Sequence, residues 1–246
     1  MATISNGLDE GPRPKLHLLD LPPELRYRIY GYIVCGTYLI IPSAGRAPLK
    51  QRRSDFRDLS ILRVSKCINC EATKVLQRKS WFTYHLPFFA RHNQSFDEAP
   101  NRHIMNLELI MERSCDHEDL TPFILSFAGT EMLRRTCRIL IPDFSRILEG
   151  SPWGQTKLAQ LRLYSKFFKL LIGFTTVMVQ ANLSVKKESL RDKNKCEENA
   201  KLLMDMIEFS EPALGPATFY KGQEYDMNFK FCPRRFAAER LANAEL

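Results

Sequence analysis

The sequence predicts an α/β chain, α+β when taken end to end: helices come first, then strands alternate with helices to form a largely parallel sheet. Three observations predict it. Segments 23–34 and 58–79 repeat apolar residues at three- and four-residue spacing, the period of a helix with one buried face. From residue 103 the period changes, and short β-branched or aromatic runs fall at 103–111, 136–144, 173–180 and 224–231. Helix-patterned segments separate these runs, and such alternation gives parallel strands joined by right-handed crossovers. The strand starts are too unevenly spaced for a strict repeat. An irregular leucine-rich-repeat-like stack and a compact open sheet both fit.

Residues 1–15 mix Gly, Asn, Pro and charges without a period and read as a disordered lead. In the helix at 23–34, Leu25, Ile29 and Ile33 share one face, which Tyr32 widens. Pro23 suits the first turn, where its missing N–H would be unpaired in any case. Glu24, in the same turn, meets the positive end of the helix dipole, and Gly36 supplies a C-terminal stop. The prolines therefore start this helix rather than break it. An extended apolar piece at 38–42 follows, then a basic loop with Lys50, Arg52 and Arg53. In the helix at 58–79, Leu59, Leu62, Val64, Ile68, Ala72, Val75 and Leu76 form the stripe, with a bend near Ser65. The aromatic stretch 81–89 reads as a core strand ending at Pro87.

Beyond it come a strand at 103–111, a helix at 119–135, a strand at 136–144 closed by Pro142, and a helix at 156–172. A strand at 173–180, a helix at 186–209, a Pro/Gly loop at 211–223, a strand at 224–231 and a weakly helical tail complete the chain. The expected organisation is a lead (1–15), a helical module with an inserted basic loop at about 36–57 (16–90), and an α/β substrate-binding body (91–246).

The chain is 44% hydrophobic and 26% charged, an ordinary globular composition. No stretch reaches the roughly 18–20 apolar residues of a membrane helix, and the N-terminus lacks the basic-then-apolar layout of a leader. The 7 cysteines are odd in number and irregularly spaced, unlike a secreted disulfide framework. An intracellular protein, cytoplasmic or nuclear and without a membrane partner, is expected. The net charge of +8 lies mainly in the N-terminal part and permits an acidic partner or nucleic acid. The basic clusters at 50–53 and 186–195 lack stacking aromatics and a reading helix. They read as solvated surface, and nucleic acid is not an expected partner.

Catalytic chemistry is not written in any motif. Cys67-Ile-Asn-Cys70 falls inside a helix with no second ligand pair and reads as structural. His103, Cys115-Asp116-His117 and Cys232 match no metal-ligand spacing. Glu108 and Glu112 read as surface charge. A nucleophile elbow, a phosphate loop and a dinucleotide fingerprint are all missing. The expectation is a non-enzyme with no catalytic residue, metal or cofactor.

One resemblance gives the N-terminal helices a purpose. LPPELRYRIYGYI (21–33) resembles the first half of an F-box, and LSILRVSKCI (59–68) resembles the second. Ser80-Trp81 resembles the Ser-Leu-Trp ending of many F-boxes, without the Leu. With CEATKVLQRKSWFTY (70–84), EPALGPAT (211–218) and FCPRRF (231–236), the chain is similar to the F-box-like proteins of filamentous ascomycete fungi. The resemblance implies a substrate-recruiting subunit of an SCF-type ubiquitin ligase, with the ligase adaptor and an unidentified protein substrate as partners. It implies that Leu21, Pro22, Leu25 and Ile29 meet the adaptor. Ile33, Leu62 and Val64 would build that apolar face or the small core behind it. The departure is the long insertion at about 35–58, where an F-box has a short link. The alternative is an F-box-like scaffold or binding protein with no ligase link, its N-terminal helices packed into the α/β body.

Overall fold

The computed structural model describes residues 17–40, 49–51, 59–86, 103–111, 134–144, 167–168, 170–183, 190–222 and 226–244. A 3₁₀ turn at Leu18–Asp20 leads into α1 (Pro23–Val34), which has Pro23 at its first position as the sequence requires. Helix α1 does not end on Gly36. Cys35 caps it in an extended conformation, and among the described residues only Gly215 has a positive φ. The chain thus passes directly into β1 (Thr37–Ile40), and β2 (Leu49–Gln51) pairs with it antiparallel.

The expected bend near Ser65 is a full break. Residues Leu59–Arg63 form a 3₁₀ turn, and α2 (Lys66–Lys79) starts anew with Ser65 as its cap, the Ile68 N–H donating to Ser65 Oγ at 3.3 Å. The stripe Ile68, Ala72, Val75 and Leu76 is buried as its spacing demands.

Strands β3 (Trp81–Leu86), β4 (Asn106–Met111), β5 (Arg134–Ile141) and β6 (Phe174–Asn182) follow. Helix α3 (Leu190–Leu214), β7 (Thr218–Lys221), β8 (Asp226–Phe231) and α4 (Pro233–Ala244) complete the described chain. The eight strands form one sheet in the order β2-β1-β3-β4-β5-β6-β8-β7. Its middle, β1-β3-β4-β5-β6, is parallel and runs in chain order; β2 at one edge and the β8-β7 pair at the other are antiparallel. The parallel sheet is therefore an α/β sheet as expected. Among the described residues the order of the parallel strands β1-β3-β4-β5-β6 does not reverse, so this stretch has no switch point of the kind at which doubly wound sheets bind ligands.

One side of the sheet is the main core. Tyr38, Phe82, Leu107, Cys137, Val177 and Phe231 lie in one register row across it, all buried. Val34 of α1, Leu76 of α2, and Leu203, Met206, Ile207 and Leu214 of α3 pack into the same cluster. Strand β4 is buried at every position, as a central parallel strand should be.

Several boundaries differ from the sequence reading. The division expected near residue 90 falls between β3 and β4, which are paired neighbours, and both sides of it feed one core. The N-terminal helices are thus joined to the body through the sheet. Arg134 and Arg135, expected to end a helix, begin β5. Helix α3 runs past residue 209 and through Pro212, because Leu214 is fully buried and holds the last turn against the core. TFYK (218–221), expected within a loop, is the edge strand β7. Residues 119–133 and 156–166 of the expected helices lie outside the described residues, as do Pro87, Glu112, the run 115–117 and most of the basic loop.

Candidate functional site

Two surfaces carry the functional question: the outer side of the α1–α2 pair, and the sheet face opposite the core.

The pair is locked by a polar cluster that its sequence spacing does not announce. Arg26 Nη2 donates to Glu71 Oε1 at 2.7 Å and Arg26 Nε donates to Oε2 at 3.0 Å, a two-point grip between helices. The Tyr30 hydroxyl donates to Glu71 Oε2 at 3.0 Å, and Arg26 Nη1 also donates to the carbonyl oxygen of Leu21 at 2.7 Å. The Arg26 hydrogen bonds hold the Glu71 carboxyl below its usual range. Burial, then the bond to Glu71, pushes the Tyr30 phenol up to about 12. Below the cluster, Tyr30, Ile68, Ala72 and Val75 form a small second core. The line that α1 turns toward α2 and the core is therefore Arg26–Tyr30–Val34, with Arg26 half-buried and the other two fully buried, one position along from the expected Leu25–Ile29–Ile33 line.

That rotation sorts the sequence-selected residues. Pro22 is exposed, Leu25 is 44% exposed and Val64 is 66% exposed. Leu21 and Ile29 are half-buried and belong to neither apolar cluster. Ile33 and Leu62 are also half-buried, but pack inward: Ile33 against the main core, Leu62 against both cores. Leu25 and Ile29, four apart on α1, therefore lie along one side of the helix, Leu25 exposed and Ile29 half-buried outside both described clusters, while Ile33 packs inward.

Cys67 and Cys70 are both exposed free thiols on the first turns of α2. Among the described residues no group of three or more His, Cys, Asp or Glu side chains is gathered for a metal ion.

The second surface is the polar side of the sheet, where the sequence reading missed its best-ordered charges. Glu108, read as surface charge, is buried. Thr83 Oγ1 donates to Glu108 Oε2 at 2.9 Å, and Arg138 Nη1 donates to Oε1 at 3.4 Å. The Arg138 guanidinium stacks over the Trp81 ring, 4.7 Å from its centroid. The register explains the grouping: Thr83, Glu108 and Arg138 stand side by side on β3, β4 and β5. Phe82 and Tyr84 lie on the core side as expected, whereas Trp81 faces this polar side. The signal in the sequence is the alternation of Thr, Glu and Arg with apolar residues in three successive strands.

No family model matches the chain, and no curated protein or solved structure matches it. No described helix is long and apolar enough to cross a membrane.

Proposed function

We propose that this chain is an F-box-like interaction protein that recruits a protein substrate to an SCF-type ubiquitin ligase, and that it carries no catalytic residue of its own. One observation supports the reading: Leu25 and Ile29 take no part in either apolar core, although the same helix buries Tyr30 and Val34 completely. A helix rotated this way keeps an apolar line for a second partner. Leu21, Pro22 and Val64 extend that line at the helix approach and at the 3₁₀–helix break. Ile33 and Leu62 act from behind as support. The Arg26–Glu71 grip fixes the helices that carry the line, so docking needs little ordering.

The test is capture of the purified ligase adaptor by the full chain. Binding at micromolar concentration that is lost in Leu25→Asp and Ile29→Asp, with an unchanged thermal midpoint, is the expected result. Absence of binding by the wild-type chain sinks the ligase reading. A second reading, a binding protein without a ligase link, is favoured by the way Val34 and Leu76 tie both helices into the body core. It predicts no adaptor binding at all.

A further inference from the structure

We infer that the polar face of the sheet binds an extended acidic segment of a protein partner, with Arg138 and Lys230 as its two cationic contacts. Arg138 is built for such a contact. Its side chain is 39% exposed, yet its plane is already set by Trp81 on one side and the buried Glu108 on the other. An arginine ordered before binding loses little entropy when it meets a carboxylate. Glu108 takes only Nη1, so the other guanidinium N–H groups have no hydrogen-bond acceptor among the described residues.

The register supplies the second contact and its spacing. Arg138 is opposite Met178, and Met178 is opposite Lys230, so the two cations stand two strands apart with a half-buried methionine between them. Two strand spacings are about 10 Å. A polyproline-type segment brings every third residue to the same side at a repeat of about 9 Å. Carboxylates three residues apart therefore reach both cations, and the residues between them lie on Met178. Asp226, the acidic residue farther along the same face, accepts from Asn182 Nδ2 at 2.9 Å, four residues beyond the Lys230 row. The net charge of +8 favours an acidic partner at long range.

The inference names the substrate side of the proposed recruitment and does not depend on α1. Leu25→Asp should abolish adaptor capture and leave this binding intact, so the two readings fail separately. The probe is a fluorescein-labelled peptide of four Glu-Pro-Pro repeats, titrated with the full chain by anisotropy. Saturable, salt-sensitive binding is expected, weakened about tenfold by Arg138→Gln and severalfold by Lys230→Gln, the size of one charge-assisted contact each. Lys230 makes no ion pair among the described residues, so its variant tests the site even if Arg138→Gln disturbs Glu108. The inference is overturned by no saturable binding below millimolar chain, or by binding that neither substitution changes. It is also overturned if a single-stranded oligonucleotide binds more tightly than the peptide and depends on the same two residues.

Discussion

Arg26 on α1 and Glu71 on α2, 45 residues apart in sequence, form a two-point ion pair with N–O distances of 2.7 and 3.0 Å. It is reinforced by Tyr30 and it orients the outer face of α1. Because the Arg26 hydrogen bonds lower the Glu71 carboxyl, the stabilisation is complete above the ordinary carboxylate range and is lost as the pH falls through and below it. Glu71→Gln removes that titration. The stability difference between wild type and variant should therefore shrink as the medium is acidified. Chemical denaturation at a series of pH values reads it, and a difference independent of pH would refute the assignment.

Tyr30→Phe keeps the buried ring and deletes one hydroxyl bond to a charged acceptor, so a loss of about 1–2 kcal/mol is expected at neutral pH. In the wild type, the neutral phenol is the stabilising form. Its contribution is complete below the ordinary value of 10.0 and disappears as the pH rises toward about 12. The variant should lack this alkaline loss. Tyrosinate absorbance of the folded protein, compared between the two chains, isolates the group.

Ser65 caps α2 by accepting from the Ile68 N–H. Ser65→Ala leaves that donor without its side-chain acceptor and should cost about 1 kcal/mol. Ser65→Asp retains an acceptor and adds a favourable charge at the helix start, so it should hold wild-type stability or exceed it. Equal losses in both variants would show that the cap is not the reason.

Gly215 ends α3 with a φ of 84°, and a Cβ there would stand 2.6 Å from Phe236 Cβ on α4. Gly215→Ala should therefore destabilise by about 1–3 kcal/mol, from the left-handed backbone together with the clash. Combining it with Phe236→Gly, which removes the Cβ as well as the ring, should relieve the clash and leave the backbone cost, a coupling that a double-mutant cycle measures.

Leu25 is in the first turn of α1, where an aspartate suits the helix dipole. Leu25→Asp should change stability by no more than about 0.5 kcal/mol, whereas Leu76→Ala, cut from the core, should cost about 2–5 kcal/mol. Thermal midpoints of the two variants should separate accordingly. A large loss at Leu25 would mean that its face is already used inside the protein.

Much of the fold was legible because helix and strand periods are local. Pro23 and Glu24 place the start of α1, the Ile68–Ala72–Val75–Leu76 stripe places α2, and the β-branched run at 173–180 places β6, which extends to Asn182. The misreadings arise where a distant partner overrules local preference. The short run TFYK becomes a strand only because β8 offers it a ladder. Pro212 stays in α3 only because Leu214 is held in the core. On α1, two apolar lines one position apart compete for the interior. Periodicity favoured Leu25–Ile29–Ile33, but the ion pair to Glu71 and the second core under Tyr30 turn Arg26–Tyr30–Val34 inward.

The sequence by itself determined the α/β class, most of the helices and strands, and the absence of a recognisable catalytic motif, since each depends on residues a few positions apart. Tertiary structure alone decided the strand order, the side of α1 left outward, and the burial of Glu108 between Thr83 and Arg138. Those depend on which surfaces meet across tens of residues. Only the assembled sheet, through its register, brings Trp81, Glu108 and Arg138 to one place.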